Sequence, residues 1–404
     1  MPIHVVGLGQ DPDNLPDYSA GIVEHAQVLY GGAQLLGFFE DHPAEKVPIT
    51  APLDQLIERI ADDHSNKKVV VVLADGDPLF YGIGSTLINH LPPEDLYFYP
   101  GVTSLQVAAA KVKIPWHDVI PVSLHGRDDY GPLFSALLSN DWVAVLTDAK
   151  SVPSALAQTI LDRGGETHFM HVLEDLESDK ERVGRFTLDE ARKKTFSPRN
   201  IVLLERCCES EIPLGMGIPD DLFMREKNLI TKGPVRATSI AALRLRPDSL
   251  LWDLGAGCGS VGIEASSVCH KGRVYAVEKN ADRVAMIREN IRRTGAYLVD
   301  VLHGPMPGCL HDLPDPDRVF IGGGLGKGSE VLEEACRRLQ PGGRLVANAI
   351  LLDSLYRARK TFENLEWEFS VTLVQAAETK PLAGQLHLAG VNPVFVLIAD
   401  KPKD

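Results

Sequence analysis

Apolar residues in the first half of the chain come in short unbroken runs: IHVVG (3–7), VVVLA (70–74), LYFY (96–99), WVAVLT (142–147) and IVLLE (201–205). Runs this short, without polar alternation, predict strands covered on both faces, hence a parallel sheet between helical layers. Segments such as PLDQLIERIADD (52–63) and VPSALAQTILDRG (152–164) repeat apolar positions at helical spacing and supply those layers. The IPW at 114–116 follows a helical stretch and marks a break between subdomains. Over 206–230 the pattern is lost among two prolines, two glycines and mixed charge.

The alternation then restarts. LLWDLG (250–255), RVYAVE (273–278), LVDVL (298–302), RVFIG (318–322), RLVANAI (344–350), WEFSVTLVQ (367–375) and PVFVLIA (393–399) read as strands. Helical patterns at 261–267, 281–295, 328–339 and 353–364 fill most gaps. None separates the last two strands, which predicts an antiparallel pair ending the sheet. The chain therefore reads as two α/β domains, 1–205 and 222–404, joined by a linker at 206–221.

Bulk properties narrow the class. The 404 residues exceed one ordinary core, which agrees with two domains. With 44% hydrophobic and 24% charged residues the composition is globular, and no apolar run reaches membrane-spanning length. The start, MPIHVVGLGQ, enters a strand without a basic segment, which predicts no signal peptide and a cytoplasmic location. Six scattered cysteines, with no C-x-x-C, speak against a zinc site or a disulfide framework. A net charge of −14 speaks against nucleic acid as a partner. An anionic substrate would need a local basic patch.

The candidate chemistry begins at LLWDLGAGCGS (250–260). A strand delivers its carboxyl end into glycines at 255, 257 and 259, and a helix follows. Such a turn lets a ligand approach the backbone, with free N–H groups at the helix start. The spacing is G-x-G-x-G. A dinucleotide loop would be G-x-G-x-x-G, and Ser260 stands at its third glycine position. Asp253 ahead of the loop would disfavour a pyrophosphate and favour a cation such as a sulfonium. Glu278, ending the next strand, is placed to accept two ribose hydroxyls. The pattern fits S-adenosylmethionine better than NAD.

ITKGPVRATSIAALRLRPDSLLWDLGAGCGSVGIEAS (230–266) resembles the opening of the class I methyltransferase domain that methylates carbon-15 of precorrins and decarboxylates a side chain. GQLHLAGVNPVFVLIA (384–399) resembles that domain's last hairpin. The resemblance implies a Rossmann-like seven-stranded sheet. It implies cofactor contacts at Thr231, Gly255, Ala256, Gly257, Cys258, Gly259 and Glu278. It extends to Met306, in HGPMPGCL (303–310), and to Gly324, in IGGG (321–324). The 303–310 segment departs from the family pattern, with Pro305 in place of the acid and Met306 in place of alanine.

VVGLGQDPDNL (5–15), VLADGDPLFYGIG (72–84) and PGVTSLQVAAAKVKIPW (100–116) each follow a strand. Singly each is an ordinary turn. In this order they resemble the tetrapyrrole methylase fold, class III of the S-adenosylmethionine enzymes, and within it the methylase acting at carbon-5. The resemblance implies a second cofactor site in a cleft between two subdomains, at Asp75, Gly76, Asp77, Thr103 and Ser104. The first loop is one residue shorter than the family's.

Taken whole, the chain is similar to the decarboxylating precorrin-6Y C-methyltransferases, bifunctional enzymes of cobalamin biosynthesis. This implies C-methylation of a precorrin at carbon-5 and carbon-15, loss of the ring C acetate carboxyl, and self-association into a homo-oligomer. The substrate's carboxylates need cationic anchors. Lys232 and Arg236, just ahead of the first strand of the second domain, are the candidate substrate clamps. Arg288, Arg292 and Arg293 read as a solvated helix face. His387 and Asn392 in the final hairpin, and His125 and Arg127 after a first-half strand, are further candidates. An alternative leaves only the second domain catalytic, the first serving to bind tetrapyrrole or a partner.

Overall fold

The computed structural model describes residues 2–9, 15–126, 129–323, 325 and 328–403. Among these the chain forms three sheets and a two-stranded ribbon. The first sheet holds β1 (Ile3–Gly7), β2 (Val28–Gly31), β3 (Glu45–Pro48), β4 (Val70–Ala74) and β5 (Leu96–Tyr99), in the order β3-β2-β4-β1-β5. Every pairing in it is parallel. Val5 and Val72 point into one core layer, Val6 and Leu73 into the other. Coverage on both faces is why these strands lack polar alternation.

The second sheet holds β6 (Val119–Ser123), β7 (Trp142–Leu146), β8 (His168–Glu174), β9 (Arg182–Thr187) and β10 (Asn200–Arg206), in the order β6-β7-β10-β8-β9. Here the expectation of a parallel sheet fails. Only β6 and β7 run parallel; β10 opposes both neighbours, and β9 opposes β8. The helix Ser104–Val112 covers one face, against Leu203. The helices Gly131–Ser139 and Pro153–Leu161 cover the other, against Val202 and Leu204. An apolar run records coverage, not strand direction. The break between the two sheets falls after the helix Ser104–Val112, where the sequence places IPW.

The third sheet holds β11 (Leu250–Leu254), β12 (Arg273–Glu278), β13 (Val299–His303), β14 (Arg318–Ile321), β15 (Arg344–Ala349) and β16 (Glu368–Val374). The ribbon follows as β17 (Ala377–Leu382) and β18 (Gln385–Gly390), and β19 (Val394–Asp400) returns to the sheet. The order is β13-β12-β11-β14-β15-β19-β16, seven strands as the resemblance implies. β19 opposes both β15 and β16, so the sheet ends in the expected antiparallel pair. The ribbon between them is exposed along its length and has no buried face for an apolar pattern to report.

The stretch read as a linker is different in structure. Ile212, Ile218 and Phe223 lie in the core of the third sheet's domain with Leu251 and Ile263. The Ile212 N–H donates to the Arg293 carbonyl at 3.0 Å. Prolines and glycines remove regular structure here without removing burial.

The joint between the second and third sheets is packed. Tyr297, just before β13, is buried in the core of the second sheet, its ring 6.3 Å from that of Phe134. Arg163 donates to the Tyr297 carbonyl at 2.7 Å and pairs with Asp300. Arg273 pairs with Asp129 at 2.6 Å. At Gly164, where φ is +76°, a Cβ would meet the Arg292 Cα at 2.6 Å.

Candidate functional site

At the carboxyl edge of the third sheet, β11 runs into glycines whose left-handed φ values are 73°, 61° and 81° at 255, 257 and 259. Side chains disfavour that region, so the turn requires glycine. A Cβ at Gly255 would meet Gly323 backbone at 3.0 Å, and one at Gly259 would meet Ile287 at 2.9 Å. Beside Gly257 no atom lies within 4 Å of such a Cβ, so this side of the loop is open to a ligand. Gly259 is also the N-cap of the helix Ser260–Ser266.

Glu278 is buried and fixed by backbone donors. It accepts from the Gly257 N–H at 3.0 Å with one oxygen, and from the Lys279 and Asn280 N–H groups, both at 3.0 Å, with the other. The loops after β11 and β12 are thereby joined through one carboxylate. His303, ending β13, is Glu278's neighbour in register, and the Gly304 N–H donates to the Glu278 carbonyl. This brings 303–306 to the same edge, with Met306 half-buried against the core. Cys258 is buried, and burial raises its thiol above the ordinary range. Gly324 lies outside the described residues.

Two residues ahead of the loop do not do what their position suggests. Asp253 is fully buried within β11 and accepts from the Gly262 N–H at 2.9 Å. It pins the helix that follows the loop and does not face a ligand cation. Burial pushes its carboxyl up to about 7, against the Gly262 N–H, and Glu278's charge adds to the rise. A raised carboxyl pKa favours the folded state while protonated. That contribution is complete below the unfolded value of about 4 and is lost as pH climbs through about 7. Asp253→Asn is therefore expected to flatten the decline in melting temperature between about pH 4 and 7. Parallel wild-type and variant profiles would contradict this.

Arg236 is likewise no substrate clamp. It is fully buried, and all three of its nitrogens donate within the protein. Nε donates to Glu264 at 2.7 Å, Nη1 to Asp220 at 2.9 Å and to the Thr231 carbonyl at 2.6 Å, and Nη2 to the Ile218 carbonyl at 2.6 Å. Glu264, on the helix after the glycine loop, is buried and also accepts from the Gly217 and Ile218 N–H groups. The network therefore fixes Thr231 and the 217–220 segment against that helix. Lys232 keeps a partly exposed side chain, its ammonium 3.6 Å from Asp220. Sequence reading missed Glu264 and Asp220. The signal was a single charge in the otherwise apolar VGIEAS, which demands an opposite charge nearby.

The three first-half turns also converge. A Cβ at Gly7 would meet the Gly76 carbonyl at 2.1 Å, and one at Gly101 would meet the Gly9 N at 2.7 Å. Gly76 and Gly9 form an isolated bridge. The loops after β1, β4 and β5 thus touch backbone to backbone at one sheet edge, a contact only glycine permits. Thr103 caps the helix Ser104–Val112 in a reciprocal capping box with Gln106. Asp77 accepts from the Leu79 N–H at 2.8 Å. Neighbouring walls raise the Asp75 carboxyl, while Arg199 and the Gly76 N–H oppose the rise. His125 lies in an exposed turn after β6, and Arg127 lies outside the described residues. His387 sits on the exposed ribbon opposite Lys380, and Asn392 is exposed just beyond it. Arg292 and Arg293 both pair with Glu211.

The family comparisons match two stretches of the chain. Residues 2–192 match the tetrapyrrole (corrin/porphyrin) methylases, and 221–401 match a precorrin methyltransferase domain. A precorrin-6Y C(5,15)-methyltransferase [decarboxylating] from Sinorhizobium sp is 33% identical over 86% of this chain and 84% of its own length. The chain belongs to that family. It is a methyltransferase, with S-adenosylmethionine as the methyl donor. A probable cobalt-precorrin-6B C(15)-methyltransferase (decarboxylating) from Pyrobaculum calidifontis is 33% identical over 45% of this chain and 95% of its own. The solved precorrin-6Y C5,15-methyltransferase structure from Geobacter metallireducens GS-15 is 41% identical, covering 46% of this chain and 98% of that one, with a TM-score of 0.45. Among the described residues no helix is long and apolar enough to cross a membrane.

The donor set of the third sheet fits this cofactor. An open glycine backbone and a carboxylate fixed beside it are what a nucleoside with free ribose hydroxyls requires.

Proposed function

We propose that the chain adds methyl groups to a precorrin at carbon-5 and carbon-15 and removes the ring C acetate carboxyl, within cobalamin biosynthesis. The carbon-5 reaction belongs to residues 1–205, and carbon-15 methylation with decarboxylation to 222–404. Each domain holds its own S-adenosylmethionine. The observation that carries this reading is the presence of two glycine-lined carboxyl edges on two unrelated sheets. The Pyrobaculum relative, matched within less than half of this chain, supports the division. The protein is further read as cytoplasmic and self-associating.

In the second domain Gly255–Gly259 and Glu278 would hold the cofactor, with Thr231 and Met306 at its margins. In the first, Asp75–Asp77 and Thr103–Ser104 would do so. S-adenosylmethionine supplies an electrophilic methyl group on a sulfonium. The substrate carbon is the nucleophile, so the protein's part is to orient the macrocycle and exclude water. Lys232 is the remaining cationic anchor beside the second site, Arg236 being committed elsewhere.

Full-length Asp75→Ala and Glu278→Ala, each supplied with cofactor and the reduced precursor, test the division by mass spectrometry. At least one is expected to accumulate a macrocycle bearing one added methyl. Loss of carbon dioxide should accompany only Asp75→Ala. Decarboxylation by Glu278→Ala would overturn the assignment. Wild-type enzyme adding a single methyl would leave the first domain a binding module.

A further inference from the structure

The loop that follows β4 reaches from the first sheet to the second. It begins with Asp75, Gly76 and Asp77 and winds back on itself. The Leu79 N–H donates to the Asp77 carboxylate at 2.8 Å, the Phe80 N–H to the Asp77 carbonyl at 3.0 Å and the Gly84 N–H to the Pro78 carbonyl at 2.9 Å. A Cβ at Gly82 or Gly84 would meet the Pro78 carbonyl at 2.7 or 2.6 Å. The tip carries two aromatic rings, set edge to face with centres 5.1 Å apart. Phe80 packs against the core layer of the second sheet that holds Val119, Ala144 and Leu203. Tyr81 is half-exposed, and its hydroxyl donates to the Pro121 carbonyl at 2.8 Å, on the edge strand β6.

Tyr81 adopts a φ of +53°. A bulky side chain disfavours that region, and glycine takes it freely. A tyrosine held there marks a place where its surroundings dictate the backbone, and such places gather at functional sites. What the conformation accompanies here is the bond across to β6.

The second sheet is attached beside the same loop at another point. Thr103 caps the helix Ser104–Val112, which covers that sheet, and a Cβ on Gly76 would meet the Thr103 Cα at 3.4 Å. One attachment leaves a hinge; a second fixes its angle. Burial raises the Asp75 carboxyl, and the charge of Arg199, the residue before β10, opposes the rise. The second sheet therefore borders the candidate cofactor residues of the first, and the angle between the sheets sets the width of the cleft between them.

We infer that Tyr81 is a positioning residue for carbon-5 methylation, its bond to β6 fixing that cleft at the width the transfer needs. The inference rests on the two-site reading above. The loops after β1, β4 and β5 interlock through Gly7, Gly76 and Gly101 without Tyr81, so the cofactor contacts survive loss of its hydroxyl. What is lost is the alignment of methyl donor and acceptor, to which transfer rates are steeply sensitive.

The test is Tyr81→Phe in the full chain, which removes the hydroxyl and keeps the ring. S-adenosylmethionine labelled with carbon-13 in its methyl gives separate NMR signals for the methyls at carbon-5 and carbon-15, followed over a single turnover of the reduced precursor. The carbon-5 signal is expected to appear at least about tenfold more slowly. The Kd for S-adenosylhomocysteine at both sites and the melting temperature should keep their wild-type values. A carbon-5 rate within about twofold of wild type would overturn the inference. So would a fall in cofactor affinity or in folded population that matches the fall in rate, since Tyr81 would then build the loop and not position it. Asp75→Ala is measured alongside. If it forms both methyls at the wild-type rate, the two-site reading fails, and the inference with it.

Discussion

Arg236→Met is expected to lower the stability of the second domain by about 3–5 kcal/mol, the usual cost of removing one partner from a buried ion pair. Both Arg236 and Glu264 have side chains only 1% exposed. Their pairing is tolerable because the guanidinium makes four hydrogen bonds and the carboxylate gains two backbone N–H donors. Methionine fills much of the volume but supplies no charge, so Glu264 stays desolvated with the two N–H bonds alone. The domain must then protonate it or open to water. Denaturant midpoints read by tryptophan fluorescence measure the loss, and the double variant Arg236→Met/Glu264→Leu should recover part of it. A substrate-clamp role predicts the opposite pattern: an unchanged midpoint and a raised KM for the macrocycle.

The second large effect is at Glu278. Glu278→Ala is expected to weaken S-adenosylhomocysteine binding at the second site by roughly 100-fold or more. Hydrogen bonds to a charged acceptor are worth about 1.5–3 kcal/mol each, and a ribose offers two hydroxyls. The carboxylate also holds the Gly257 N–H in place, so its removal loosens the loop as well as deleting the acceptor. Titration calorimetry of the full chain should show one class of site lost and the other unchanged. Glu278→Gln is instructive because the amide keeps the shape but turns one arm into a donor. That arm would face backbone N–H groups, so the variant should bind little better than alanine. Affinity within twofold of wild type in both variants would remove Glu278 from the cofactor site.

The strands and the glycine loop were legible because their signals are local. β1, β4, β11 and β12 are apolar runs, and the φ values at 255, 257 and 259 require the glycines that the sequence shows. Convergence of the three first-half turns was legible only as a resemblance, since no spacing in the sequence says that Gly7, Gly76 and Gly101 touch. Arg236 was misread because burial is decided by distant partners. Ile218 and Phe223 belong to a stretch whose prolines and glycines look like a linker, yet the Arg236 guanidinium lies 5.3 Å from the Phe223 ring centre. Asp253 failed for another reason. In a strand covered on both faces, alternation no longer tells inward from outward, so the direction of its carboxylate was not readable. The direction of β10 was hidden by the same double coverage.

Tyr297 gives the word domain an asymmetric meaning in this chain. The third sheet has its own core, but the core of the second is completed by a ring borrowed from across the joint. A protease cut near residue 206 would therefore not release two equal halves. The carboxyl-terminal fragment would carry an exposed tyrosine, a surface blemish. The amino-terminal fragment would carry an empty socket beside Phe134 and the ring of His168, and would be the half that sticks to itself. Limited proteolysis, read by which fragment stays in solution, would reveal which way the dependence runs.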